Sequence, residues 1–225
     1  MSGPAAGCIL DLGAIEASLR DLQMKFPRVN QLLESRRDSM DETMVANMMV
    51  GYAFVDSLIA QRIDPFAMGH LKALLEINAL VLCGPDERRR ALAKSHLAAT
   101  ERRFYEQAGG GIRDVVEWCE LHRGECPWKR AAGVYVRILS EPELFIEGNH
   151  RSGALVMSYI LASQGHPPFV LTAQNAKAYF DPSTLIMKTR KKSIAMLYRM
   201  PQIKRRLANF LKEEADPKYL LPPRP

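Results

Sequence analysis

At 225 residues, 47% of them hydrophobic and 25% charged, the chain is long enough to bury a full core and is not a disordered segment. A net charge of +6 leans mildly towards anionic partners, nucleotide or nucleic acid, and a solvated basic face accounts for it equally well. The four cysteines, Cys8, Cys83, Cys119 and Cys126, are too few and too scattered for a disulfide scaffold, so a reducing, cytoplasmic setting is expected.

The N-terminus has no basic run ahead of its short apolar stretch, so no signal peptide is expected. Helical spacing starts at Ile15, Leu19 and Leu22 and continues to Phe26 and Val29, with Pro27 expected to break it. Residues 44–60 are the most apolar segment. They carry Asn47 and Asp56, fall short of the roughly 20 apolar residues of a membrane span, and read as a buried helix. The methionines Met44, Met48 and Met49 fill core gaps in this reading.

Asp64-Pro65 predicts the start of the next helix and Gly84-Pro85 its stop. Residues 86–107 predict one charged amphipathic helix. Three glycines at 109–111 suit no helix interior, so a turn or a small β-hairpin is expected there. Two helices then flank the breaker at 124–128, and an apolar helix from about 152 is stopped by Gly165. Residues 167–172 are the one weak strand candidate. The fold class expected is mainly α. From Lys188 the chain turns basic, through Arg190, Lys191 and Lys192 and then Lys204, Arg205 and Arg206, before an extended terminus.

The stretch from Glu143 to Ala154, "ELFIEGNHRSGA", carries the chemistry. Gly148 and Asn149 tolerate the left-handed conformations that aim successive N–H groups inward. A helix opening near Arg151 or Ser152 would present unsatisfied N–H groups at the same spot. Arg151 adds a planar, permanently charged fork for phosphate oxygens. Glu147 is suited to a magnesium ion bridging phosphates.

This stretch resembles the loop of the Fic/Doc (Fido) family, His-Pro-Phe-x-Asp/Glu-Gly-Asn-Gly-Arg-x-x-Arg, with matches at Phe145, Glu147, Gly148, Asn149 and Arg151. The likeness extends over roughly 65–185. It implies a Fic-like helical core, with the glycines at 109–111 in the place of the family's target-docking flap. It also implies a transferase that moves a nucleotidyl or phosphoryl-type group from a donor, ATP or another phosphorylated molecule with Mg2+, to a hydroxyl of a protein or small molecule. Phe145, Gly148, Asn149, Arg151 and Ser152 would then hold the donor and Glu147 the metal.

The departures are specific. Glu143 replaces the family's catalytic histidine, and a carboxylate is the weaker base at neutral pH unless it is desolvated. Glu143 would serve as that base or as a second metal ligand. His150 replaces the loop's third glycine and would contact phosphate or act as a displaced acid/base. Ala154 removes the last motif arginine. These changes set a divergent transferase against an inactive pseudoenzyme that keeps the fold as a binding or regulatory module.

The layout expected is an N-terminal helical extension at 1–43, the Fic-like core at 44–187 with its loop at 143–154, and a basic helical tail at 188–225. Nucleic-acid binding by the tail is the weaker reading, since stacking aromatics are not interleaved with its charges. Cys119, His122 and Cys126 share a spacing that soft metal ligands use, but Gly124 and Pro127 interrupt their helix, and incidental residues are the better reading. The oligomeric state is left open, a dimer included.

Overall fold

The structure, a computed structural model, describes residues 8–191 and 193–222, with the side chain at 195 set aside. Lys192 and the last three residues of the extended terminus therefore lie outside the described residues. Within them the fold is mainly α: α1 (Leu12–Gln31), α2 (Glu42–Ala60), α3 (Lys72–Cys83), α4 (Glu87–Leu92), α5 (Lys94–Glu106), α6 (Ile112–Leu121), α7 (Pro127–Leu139), α8 (Asn149–Ala162), α9 (Ala176–Met187), α10 (Ile194–Tyr198), α11 (Met200–Glu213) and a 3-10 turn at Pro217–Tyr219. There is no sheet among the described residues, only two isolated bridges.

One hydrophobic core runs from Leu10 to Tyr219, so the N-terminal, central and C-terminal spans all contribute to it. Its centre is α8, where 12 of 14 residues are buried. A helix apolar all round has to be enclosed on every side, and α7, α2 and α3 enclose this one. The approach of α2 depends on Gly51, because a Cβ there would stand 2.4 Å from Leu155 Cδ1.

The helix α2 is capped by Asp41, whose side chain accepts from Met44 N. By length and composition it could cross a membrane. It is built as a core helix instead: Asp56 Oδ1 accepts from the N–H groups of Ile9 and Leu10, and Asn47 Nδ2 donates to Val81 O. Such buried polar groups need partners, and here protein supplies them.

Several sequence expectations are corrected. Pro27 lies inside α1 without ending it, because Phe26 just before it and Val29 just after it both bury themselves in the core. Asp64-Pro65 opens a series of turns, with Asp64 Oδ1 accepting from Phe66 N, and the helix itself starts at Lys72. Residues 86–107 form two helices that meet at Ala93. The glycines at 109–111 make a turn rather than a hairpin. Residues 167–172 form no strand; the carbonyl of Phe169 is taken instead by Tyr52 Oη and Ser158 Oγ and that of Val170 by Asn175 Nδ2.

The basic tail is not uniformly a solvated face. Lys191 is 6% exposed, and its ammonium donates to Gly110 O at 2.9 Å and Pro142 O at 2.6 Å. Lys204 pairs with Glu125 at 2.8 Å and lies over the Trp118 ring. Of the suspected soft ligands, Cys119 is buried and Cys126 exposed, while His122 stacks on Trp118.

Candidate functional site: the loop before α8 and its cavity

The loop at 140–148 is held from four directions. At its entry Glu141 pairs with the start of the tail, its N–H donating to Thr189 O and its carbonyl accepting from Lys191 N. Arg103 Nε, from α5, donates to Glu143 O, and Phe145 stacks on Phe104 at 5.8 Å. Leu144 and Phe145 bury completely and plug the loop into the core. At its exit, Asn78 of α3 donates through Nδ2 to Glu147 O and Ser152 Oγ, at 2.9 and 3.0 Å.

Gly148 makes the turn into α8 with φ +77. A Cβ would meet Asn78 Nδ2 at 3.0 Å, so both the backbone sign and the space call for glycine. The helix opens at Asn149 with no side-chain cap, which leaves first-turn N–H groups and the positive end of the helix dipole available to an anion.

The motif residues are divided between two sides of this turn. Asn149, 5% exposed, closes the loop: its Oδ1 accepts from Phe145 N, and its Nδ2 donates to Phe145 O and, at 2.6 Å, to Glu143 Oε2. Glu143 is half-buried. Burial raises its proton affinity above the ordinary carboxylate range, opposed by Arg103, Lys191 and the bond from Asn149. Burial likewise pushes the Lys191 ammonium down to about 8.

On the other side lies a cavity of about 240 Å3 between α1, the 32–41 connection, α2, the first turns of α8, and α9. Leu19, Phe26, Met44, Met48, Leu171 and Phe180 give it an apolar wall, and Arg37, Asp38, Glu147, His150 and Arg151 supply its polar groups. Glu143 is not part of that wall, nor is Phe145. Ala154 is.

The two guanidinium groups on this wall are half-buried, and neither enters an ion pair among the described residues. Arg151 Nη1 donates to Val81 O at 2.7 Å, and burial makes its charged form less favourable. Arg37 Nη2 reaches Ser183 Oγ and Thr184 Oγ1, its Nη1 faces His150 Nε2 at 3.3 Å, and its Nε is buried without a partner. Both carboxylates on the wall, Asp38 and Glu147, are exposed.

His150 is fixed by these neighbours. A guanidinium only donates, so Nε2 must accept and the proton belongs on Nδ1, which then donates to Tyr135 Oη at 3.0 Å. Met187 Sδ, 3.2 Å from Nε2, would favour the opposite tautomer. The charged donor outweighs a thioether acceptor. Burial first, and Arg37 second, push the imidazole down to about 3, so it is neutral at physiological pH.

The sequence motif therefore brings Glu147, Gly148, Asn149, His150 and Arg151 to one cavity, while Glu143, Phe145 and Ser152 serve the loop's own bonds and packing. Sequence reasoning did not single out Arg37, Asn78 or Tyr135, and it took Lys191 for one charge of the basic tail rather than a support of this loop. Only the crowding of charges around residues 34–42 hints at Arg37, and no local signal marks Asn78 or Tyr135.

A magnesium ion needs little of a protein beyond a carboxylate or two beside substrate phosphates, and Glu147 offers one. Among the described residues no three His, Cys, Asp or Glu side chains gather to hold a metal by themselves. The remainder of a nucleoside triphosphate fits poorly. The cavity lies below the ~300–1,000 Å3 usual for ligand pockets, its wall is mainly apolar, and two carboxylates rim it where negative phosphates would enter. Comparison with protein-family models and with curated proteins finds no match to this chain.

Proposed function

We propose that this chain is a Fic-like helical domain that works as a small-molecule anion-binding or regulatory module rather than as a transferase. The observation that carries the reading is the separation of the two halves of the motif. Glu143, which stands where the resemblance puts the catalytic histidine, is bonded to Asn149 and absent from the cavity wall. Arg37, Arg151 and the uncapped start of α8 are on that wall. A general base has to reach the proton it abstracts, whereas anion binding needs only the cations and N–H groups.

A second reading, the divergent transferase, has one observation in its favour. A half-buried carboxyl with raised proton affinity is what acid/base work at neutral pH calls for.

The two readings separate in one assay. The full chain is incubated with Mg2+ and ATP labelled at the α or γ phosphate, with and without a protein extract as acceptor. No label is expected to transfer, and inorganic phosphate is expected to raise the melting temperature in a way that Arg151→Ala removes. Label transfer that Glu143→Ala abolishes overturns the binding-module reading in favour of the transferase.

A further inference from the structure

We infer that the ligand of this cavity is a compact apolar monoanion, a small carboxylic acid with a hydrocarbon or aromatic body, rather than a nucleotide. The inference rests on the binding-module reading and adds the class of ligand. Three features lead to it.

The first is charge placed by depth. Arg37 and Arg151 are half-buried and neither makes a contact ion pair among the described residues, Glu147, Asp38 and Asp41 acting on Arg151 only from farther off, and Arg37 Nε is buried with no acceptor. A half-buried guanidinium whose carboxylates stand off rather than touch still has donors to satisfy, and an anion in contact with it satisfies them. Both arginines and the uncapped first turn of α8 line this cavity, so an anionic group bound there has these donors to choose from. His150, held neutral, neither competes for the anion nor adds a third charge.

The second is the rim. Asp38 and Glu147 are exposed at the same cavity. Each added negative charge on a ligand would have to pass or sit beside them, so one charge is favoured over several.

The third is what remains. Leu19, Phe26, Met44, Met48, Leu171 and Phe180 line the rest with hydrocarbon, thioether and a ring. Such a wall gains by covering an apolar body and offers a sugar or a base few partners. A space of about 240 Å3 is at the small end for a ligand cavity, which favours a compact body. The three methionines on this wall, Met40, Met44 and Met48, are unbranched and adapt to the shape of what they cover.

The test is titration calorimetry on the full chain with octanoate, 3-phenylpropionate, octanamide, inorganic phosphate and Mg-ATP as probes. Both acids are expected to bind at least tenfold more tightly than octanamide and than inorganic phosphate. Arg37→Met is expected to weaken the acids at least tenfold. Arg37 also holds α9, so a second variant is needed: Met44→Trp, which fills the cavity from a half-buried position and should abolish acid binding with the melting temperature kept.

Equal binding of octanoate and octanamide overturns the inference, because the guanidinium groups would then not be reading charge. Mg-ATP or phosphate binding more tightly than the acids, and lost in Arg151→Ala, overturns it while leaving the anion-module reading intact. If no anion binds, both fall. Acid binding that survives Met44→Trp in a folded protein places the ligand elsewhere and overturns the assignment of this cavity.

Discussion

Replacing Gly148 by alanine tests how the loop is joined to its helix. The residue sits at φ +77, where an L-residue costs about 1–2 kcal/mol. The new Cβ would also stand 3.0 Å from Asn78 Nδ2, 3.2 Å from Leu82 Cδ2 and 3.3 Å from Val81 Cγ2. Asn78 is 1% exposed and has no free space to retreat into. Displacing it strains its bonds to Glu147 O and Ser152 Oγ, each contributing about 1 kcal/mol. The sum is about 2–4 kcal/mol. For a chain of this length each kcal/mol lowers the melting temperature by about 2–4 °C. Gly165→Ala is the matched control, since Gly165 has φ +76 but nothing within 4 Å of the added Cβ. It should show the backbone cost alone, about 1–2 kcal/mol. Urea unfolding followed by circular dichroism reads both variants. Costs equal to within about 0.5 kcal/mol would refute the reasoning that Gly148 is required by Asn78 as well as by its backbone angle.

Asn149→Ala removes the bonds that close the loop on itself and should cost about 2–4 kcal/mol in urea unfolding, and Asn149→Asp should be no better at neutral pH, because it keeps the acceptor at Phe145 N but sets a carboxylate against Glu143 Oε2 and Phe145 O. His150 has a folded pKa of about 3 against an unfolded value near 6.5, so the unfolded chain takes up a proton first as pH falls. The stability it contributes is complete above about pH 6.5 and is lost as pH falls towards 3; His150→Phe should therefore lessen the decline between pH 6 and 5 by about 1 kcal/mol, and identical slopes would exclude a buried neutral imidazole. Lys191→Met leaves Gly110 O and Pro142 O without their shared donor and should lower stability by about 2–4 kcal/mol, with faster amide exchange at residues 108–111 and 141–144 as the local signature.

The mainly α class was legible because it rests on local signals. The apolar run of α8, the Gly84 stop and the glycines at 109–111 each act over a few residues. Misread boundaries had a tertiary cause. Pro27 stays within α1 because burial of Phe26 and Val29 outweighs one lost backbone bond, and residues 168–172 stay extended without a partner strand because side chains from α2 and α8 take up the carbonyl of Phe169. At the site, the residues of the EGNHR stretch were legible from their types and order. Arg37 was not, because it reaches His150 across the whole middle of the chain, and nothing in "ESRRDSMD" distinguishes it from the solvated Arg36 beside it. The division of the motif between Glu143 and the cavity was also illegible, because it depends on which way Asn149 turns its amide.

The pairing of Leu10 with Leu220 sets a timetable for folding. Leu221 N donates to Ile9 O, Asp11 N to Tyr219 O, and the Tyr219 hydroxyl to Ser18 Oγ, so the beginning of α1 is covered by residues made long after it. At about 5–20 residues per second, synthesis leaves an interval of roughly 10–40 s in which α1 exists and its cover does not. Throughout that interval Asp56 can already hold the N–H groups of Ile9 and Leu10, while the carbonyl of Ile9 has only water. The nascent chain is thus a helix cluster with one open seam, and its cooperative closure is postponed until residues 217–221 have left the ribosome.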